Sequence, residues 1–181
     1  MSKTLHARPS ADEYPPYYTH YVELAPEGDL VRALEEQGQA LAAEWAALPD
    51  AAAGFRYGPD KWSVEEVIGH IVDIERAFSY RTMCWMRGVP DEQPGVDQDI
   101  MVPNSGADER GFASLSAEFL HLRQSNVELY RHLTDAQFQV RGRASGAEFS
   151  VRALACVMFG HAVHHASVIH ERYAGSWASP S

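Results

Sequence analysis

The sequence predicts an all-α protein, a four-helix bundle built around one core. Three observations carry this: four segments repeat apolar residues at helical spacing, two of them start at well-defined caps, and nowhere does an alternation of period two persist. The 181 residues suffice for a single domain with a substantial core, and 45% hydrophobic against 22% charged residues is an ordinary soluble composition.

Residues 1–28 are rich in Pro, Tyr and charge, and Pro15, Pro16 and Pro26 interrupt regular structure. This stretch reads as an arm lying on the domain, and the clustered Tyr14, Tyr17 and Tyr18 predict that part of it packs. The bundle is expected over 29–175, with a tail at 176–181. Its first helix spans about 29–48: Leu30, Leu34, Leu41, Trp45 and Leu48 share a face, Asp29 is the cap and Pro49 the stop. A loop with Gly54, Gly58 and Pro59 follows.

The second helix, about 63–87, has the clearest start. Ser63 and Glu66 form a capping box, and Trp62 sits where a hydrophobic staple would. Val67, Ile71, Ile74 and Phe78 make its apolar stripe, with Gly88 and Pro90 beyond its end. Residues 88–112 form a connection longer than compact domains normally use, which suits a bundle where one link crosses its full length. The third helix, about 114–133, presents Leu115, Phe119, Leu122, Val127, Leu129 and Leu133. A polar loop is expected over 134–149. The fourth helix starts at the Ser150 cap and ends near Tyr173, before Gly175.

The formal net charge is -10 and no Lys/Arg cluster stands out, which argues against nucleic acid as a partner. Cys84 and Cys156 lie in apolar helical stretches without CxxC spacing and read as buried, reduced thiols. No long apolar run and no apolar leader segment is present, so membrane insertion and secretion are not expected and a cytoplasmic location is.

Nine histidines remain to be explained. On the fourth helix, Leu154, Met158, His161, His165, Val168 and Arg172 fall on one stripe, so two histidines replace apolar residues in a core-facing seam. Four residues apart, they stand about 40° apart around the axis and one turn apart along it, a spacing at which two imidazoles can share a metal ion. His70 is the histidine of the second helix and lies on its apolar side beside Val67, Ile71 and Ile74. Counted from the two caps, His70, His161 and His165 all fall near mid-helix if these helices run antiparallel. Three imidazoles at one depth make an open metal site. The competing reading is core histidines satisfied by hydrogen bonds, which for two buried imidazoles needs several partners. His164 is expected to flank the site. His6, His20, His121, His132 and His170 read as surface positions.

The segment from Lys61 through Trp62, Ser63 and His70 to Arg76 resembles the second helix of the DinB/YfiT-like family. The Gly160-His161…His164-His165 segment, continuing to Tyr173, is similar to that family's fourth helix. Weaker likeness extends over Glu13–Tyr18, Phe55–Tyr57, Arg81–Gly88 and Pro94–Asp99, so it covers nearly the whole of 13–173. One position departs from the pattern: Asp99 is followed by Ile100 and Met101 where the family usually has a Tyr, a change expected at the pocket rim. The resemblance implies an up-down-down-up bundle with a long crossover connection, and a divalent metal held by His70, His161 and His165, the trio the seam argument reaches independently.

Three neutral ligands leave such an ion its full charge and an open position, where water or a thiol is acidified. The family likeness implies a metal-dependent transferase joining a low-molecular-weight thiol of bacillithiol or mycothiol type to an electrophile. Two alternatives stand beside it: a metal-dependent hydrolase, and a non-enzymatic metal-binding stress protein. Zinc or nickel is the expected ion, though imidazole does not discriminate. Asp73 and Glu66, each one turn from His70, are candidates to support an imidazole, against a solvated face and a capping role respectively. Arg76 and Arg81 are candidates to meet a substrate carboxylate, against ordinary salt bridges. A homodimer is expected to pair through helices one and three.

Overall fold

The structure, a computed structural model, describes residues 8–173 and 175. His6 and the expected tail at 176–181 lie outside the described residues. The arm carries a short helix, Thr19–Leu24 (α1), after a single turn at Pro16–Tyr18. Prolines at 15 and 16 therefore start a helical segment here rather than prevent one, since a proline is tolerated in a first turn.

The four long helices are Leu30–Ala46 (α2), Val64–Met86 (α3), Phe112–Arg131 (α5) and Val151–Arg172 (α7). Three of the four starts follow from predicted caps, while α5 begins after Gly111 without a side-chain cap. Asp29 accepts the Arg32 N–H, Ser63 and Glu66 complete the reciprocal capping box, and Ser150 accepts the Ala153 N–H. Past α3, Gly88 takes φ 74°, the left-handed conformation that ends a helix without steric penalty.

Paired contacts show how the helices run. Trp62 at the start of α3 meets Tyr173 beyond the end of α7, while Trp85 near the end of α3 stacks on Phe149 just before α7, so these two are antiparallel. Along α3 and α5 the partners advance together, Glu75 with Arg123 and Thr82 with Tyr130, so that pair is parallel. Trp45 on Phe119 and Glu35 with Arg131 make α2 and α5 antiparallel.

The long connection is ordered in pieces: Gln98–Met101 (α4), capped by Asp97, then two single turns. The expected loop at 134–149 is also structured. It holds a short helix, Asp135–Phe138 (α6), and an antiparallel hairpin of Arg141–Ala144 (β1) and Ala147–Ser150 (β2). Ser145 and Gly146 take φ 55° and 79° at its tip, the conformation a two-residue hairpin turn requires. Four-residue strands are too short for an alternating pattern to stand out, and their role is tertiary. Gln93 of the long connection pairs with the hairpin through its N–H to Arg143 O at 2.9 Å, and its carbonyl accepts the Ser145 N–H.

The interior is two apolar clusters rather than one. One gathers Leu34, Phe78, Val127 and Met158, the other Trp45, Ile71, Phe119 and Ala162. Between them each long helix contributes a polar or small residue at one level: Gly38, Glu75, Arg123 and His161. Arg123 and Glu75, 1% and 2% exposed, form a two-point ion pair at 2.6 and 2.8 Å. Gln37 and the Leu34 carbonyl accept from the remaining guanidinium nitrogen, and Asn126 donates to Glu75. The bundle therefore has a polar layer between the clusters, and the Arg123 charge is felt at His161.

Candidate metal centre

His161 and His165 face inward from α7, and His70 meets them from α3. Ring centres stand 5.1 Å apart for His70–His161, 4.8 Å for His70–His165 and 4.5 Å for His161–His165. One nitrogen from each ring lies within 4.8 Å of the others. His70 and His161 are 3% and 8% exposed, while His165 is half-buried at the cleft side.

Burial drives all three towards the neutral form. Loss of water pulls His70 down to about 4 and His165 to about 3, and His161, the deepest, falls well below its ordinary value. Neutral imidazole is the state that donates a lone pair to a metal. The polar partner of His70 Nε2 is His161 Nε2 at 3.2 Å, and His165 has no hydrogen-bond partner among the described residues. Two nitrogens bound tetrahedrally at about 2.0–2.1 Å to one ion lie roughly 3.3–3.4 Å apart. The 3.2 Å pair and the three-nitrogen donor set therefore suit a divalent ion, and hydrogen bonds among the described residues leave His165 without a partner.

The three rings form the floor of a cleft of 770 Å³. Trp62 packs over His70 at 4.8 Å, Tyr21 approaches His161 at 5.7 Å and Phe78 at 6.1 Å. Tyr17 and Tyr18 complete an aromatic wall from the arm. The position of α1 depends on Gly160, the residue before His161, because Tyr21 rests directly on its backbone.

The other sequence candidates separate clearly. Glu66 caps α3 and pairs with Arg56, and Asp73 pairs with Arg76 at 3.5 Å, so neither supports an imidazole. Arg76 also pairs with Glu118, an ordinary salt bridge. Arg81 is different: it is buried in the wall of the cleft, and no carboxylate pairs with it among the described residues. His164 flanks the trio, its ring 5.0 Å from that of His165, as expected. His132 and His170 are surface groups near Glu128 and Glu44. His20 is exposed but stacks edge-on with His164 at the mouth of the cleft. Ile100 and Met101 are exposed and lie outside the cleft wall, which the connection supplies through Gly95 to Gln98. Trp62 and Tyr21 are wall residues that sequence reasoning missed. For Trp62 the visible signal was a staple, and for Tyr21 there was none beyond the tyrosine-rich arm.

A helical bundle with an open three-histidine centre is the class of protein defined by this geometry. A family profile described as the DinB superfamily matches residues 33–169, and the chain belongs to that family. Among solved structures it is similar to YfiT from Bacillus subtilis, described as a probable metal-dependent hydrolase with an unusual four-helix bundle topology. The TM-score is 0.70 at 18% identity, with 92% of this chain and 91% of that chain covered. No curated protein matches the sequence significantly.

Proposed function

We propose that the protein is a divalent-metal enzyme that joins a low-molecular-weight thiol to an electrophilic small molecule. The observation that carries this reading is the placement of His70, His161 and His165 together at the floor of a 770 Å³ cleft. When bound, zinc or nickel supplies Lewis acidity that makes a thiol or water at its open position a nucleophile at neutral pH. The chain's residues do the rest. Trp62, Tyr21 and Phe78 seat the organic part of a substrate and limit water around the imidazoles. The carboxylate that lines the cleft, Asp97, is turned to the Asp99 and Ile100 N–H groups. The cleft carboxylate is thus not free to act as a general base, and a thiol, ordinary pKa about 8.5, gives up its proton more readily than water does.

Hydrolysis is the second reading, favoured by the description of YfiT, and would use the same cleft. The deciding experiment incubates zinc- or nickel-loaded protein with an electrophile, with and without a small thiol, beside an activated ester. Thiol-dependent conjugation abolished in His161→Ala supports the proposal, and ester cleavage without thiol supports hydrolysis. Full metal content with neither activity points to a metal-binding stress protein. The same reading includes a cytoplasmic homodimer, tested by sedimentation with and without metal. The large exposed apolar side chains among the described residues that such a pairing could cover include Tyr17, Tyr80, Ile100 and Met101.

A further inference from the structure

Arg81 has the position of a substrate anchor. It is 5% exposed, yet it faces the cleft that holds the histidines. A guanidinium that deep is normally matched by a carboxylate, as Arg123 is matched by Glu75. Arg81 instead donates through one nitrogen, Nη2, to the Pro94 carbonyl at 2.8 Å and the Ser145 hydroxyl at 3.2 Å. Its Nε and Nη1 have no acceptor among the described residues. Asp97 shares the cleft wall, but its carboxylate caps α4. Tyr18 is the other ionisable group near the guanidinium, a neutral phenol at ordinary pH whose own ionisation burial opposes.

The two neutral contacts fix the side chain without cancelling its charge. They come from the long connection and from the hairpin tip, so both segments serve to hold Arg81 in place. On α3 the residues His70, Ile74, Phe78 and Arg81 follow one another along one face and all line the cleft. Phe78 stands between the two centres, 6.1 Å from the His161 ring and 6.0 Å from the Arg81 guanidinium. A single small molecule lying across Phe78 reaches both.

We infer that Arg81 binds the carboxylate of a small-molecule substrate whose reacting group sits at the three histidines. The charge count favours a monoanion: one buried cation without a counter-charge matches one carboxylate, and a phosphate dianion would need a second cation that the described cleft residues do not offer. This rests on the metal-site reading above and adds the substrate class.

The test uses cobalt-loaded full-length protein, with visible absorption reporting both metal uptake and ligand binding. The probes are the monohydroxamates of succinic, adipic, suberic and sebacic acid, each beside its terminal amide. Hydroxamate engages the metal whichever reaction the enzyme performs. At one chain length the acid is expected to bind about tenfold more tightly than its amide. In Arg81→Gln that preference disappears while amide binding stays; Arg81→Lys retains part of it. Equal binding of acid and amide by the parent at every length overturns the inference, even if no variant folds, and so does a preference that survives in Arg81→Gln. Absence of a cobalt spectrum in the parent would instead overturn the metal centre itself and this inference with it.

Discussion

The carbonyl oxygen of Tyr21 lies 1.9 Å from where a Cβ on Gly160 would stand. Only a glycine allows α1 to rest this closely on α7, and that contact brings the Tyr21 ring against His161. The arm is therefore part of the cleft, joined to the histidine trio through a missing side chain.

Gly160→Ala should force α1 outward. A loss of about 1–3 kcal/mol is expected, as for other overpacked interiors, read as a lower urea midpoint. Tyr21 fluorescence or cross-linking to α7 should report its displacement, and a variant as stable as the parent would mean that α1 is free to shift.

Metal content tests the trio directly. Mass spectrometry of the parent should find about one equivalent of zinc or nickel, and His70→Ala, His161→Ala and His165→Ala should each retain little. Saturating metal at 100 times its dissociation constant stabilises a fold by about 2.7 kcal/mol, so the parent's Tm should rise on loading while those of the three variants stay put. His170→Ala, altering a surface group beside Glu44, should keep its metal.

The buried pair Arg123–Glu75 should be unforgiving of single changes. Arg123→Met leaves Glu75 buried without its partner and should lower stability by about 3–5 kcal/mol. Pairing it with Glu75→Leu should recover a good part of that loss, because two apolar groups leave no stranded charge. Urea midpoints of the parent, the single variant and the double variant decide it.

Acid should act partly through Glu13. Burial opposes its ionisation, but Arg152, the Ser10 N–H and the Ser150 hydroxyl outweigh this and pull it from 4.5 to about 2. The folded value is the depressed one, so the stabilisation is complete above about 4.5 and fades as pH falls towards 2. Glu13→Gln should be less stable at neutral pH and flatter across that window, measured by thermal melts at stepped pH.

Much of this was legible in the residues themselves. Ser63 with Glu66, Asp29 and Ser150 mark helix starts through bonds to amides three residues away, so their signal is local. The 161/165 spacing and the mid-helix position of His70 likewise brought these three histidines together before any contact was known. The hairpin at 141–150 escaped because its stability comes from Trp85 against Gly142 and from Gln93, partners distant in sequence. Dividing the interior into two clusters was equally hidden, since Glu75 and Arg123 look like surface charges until they are seen to face one another.

By itself, then, the sequence determined the four long helices, the caps of three of them and the three histidines, because periodicity and capping act within a turn or two of chain. The tertiary structure alone decided that Tyr21 and Trp62 wall the cleft, that Arg76 finds a carboxylate and that Arg81 does not. Those outcomes depend on which side chains meet across the bundle, and a charge buried without its opposite is a property of packing that no local pattern encodes.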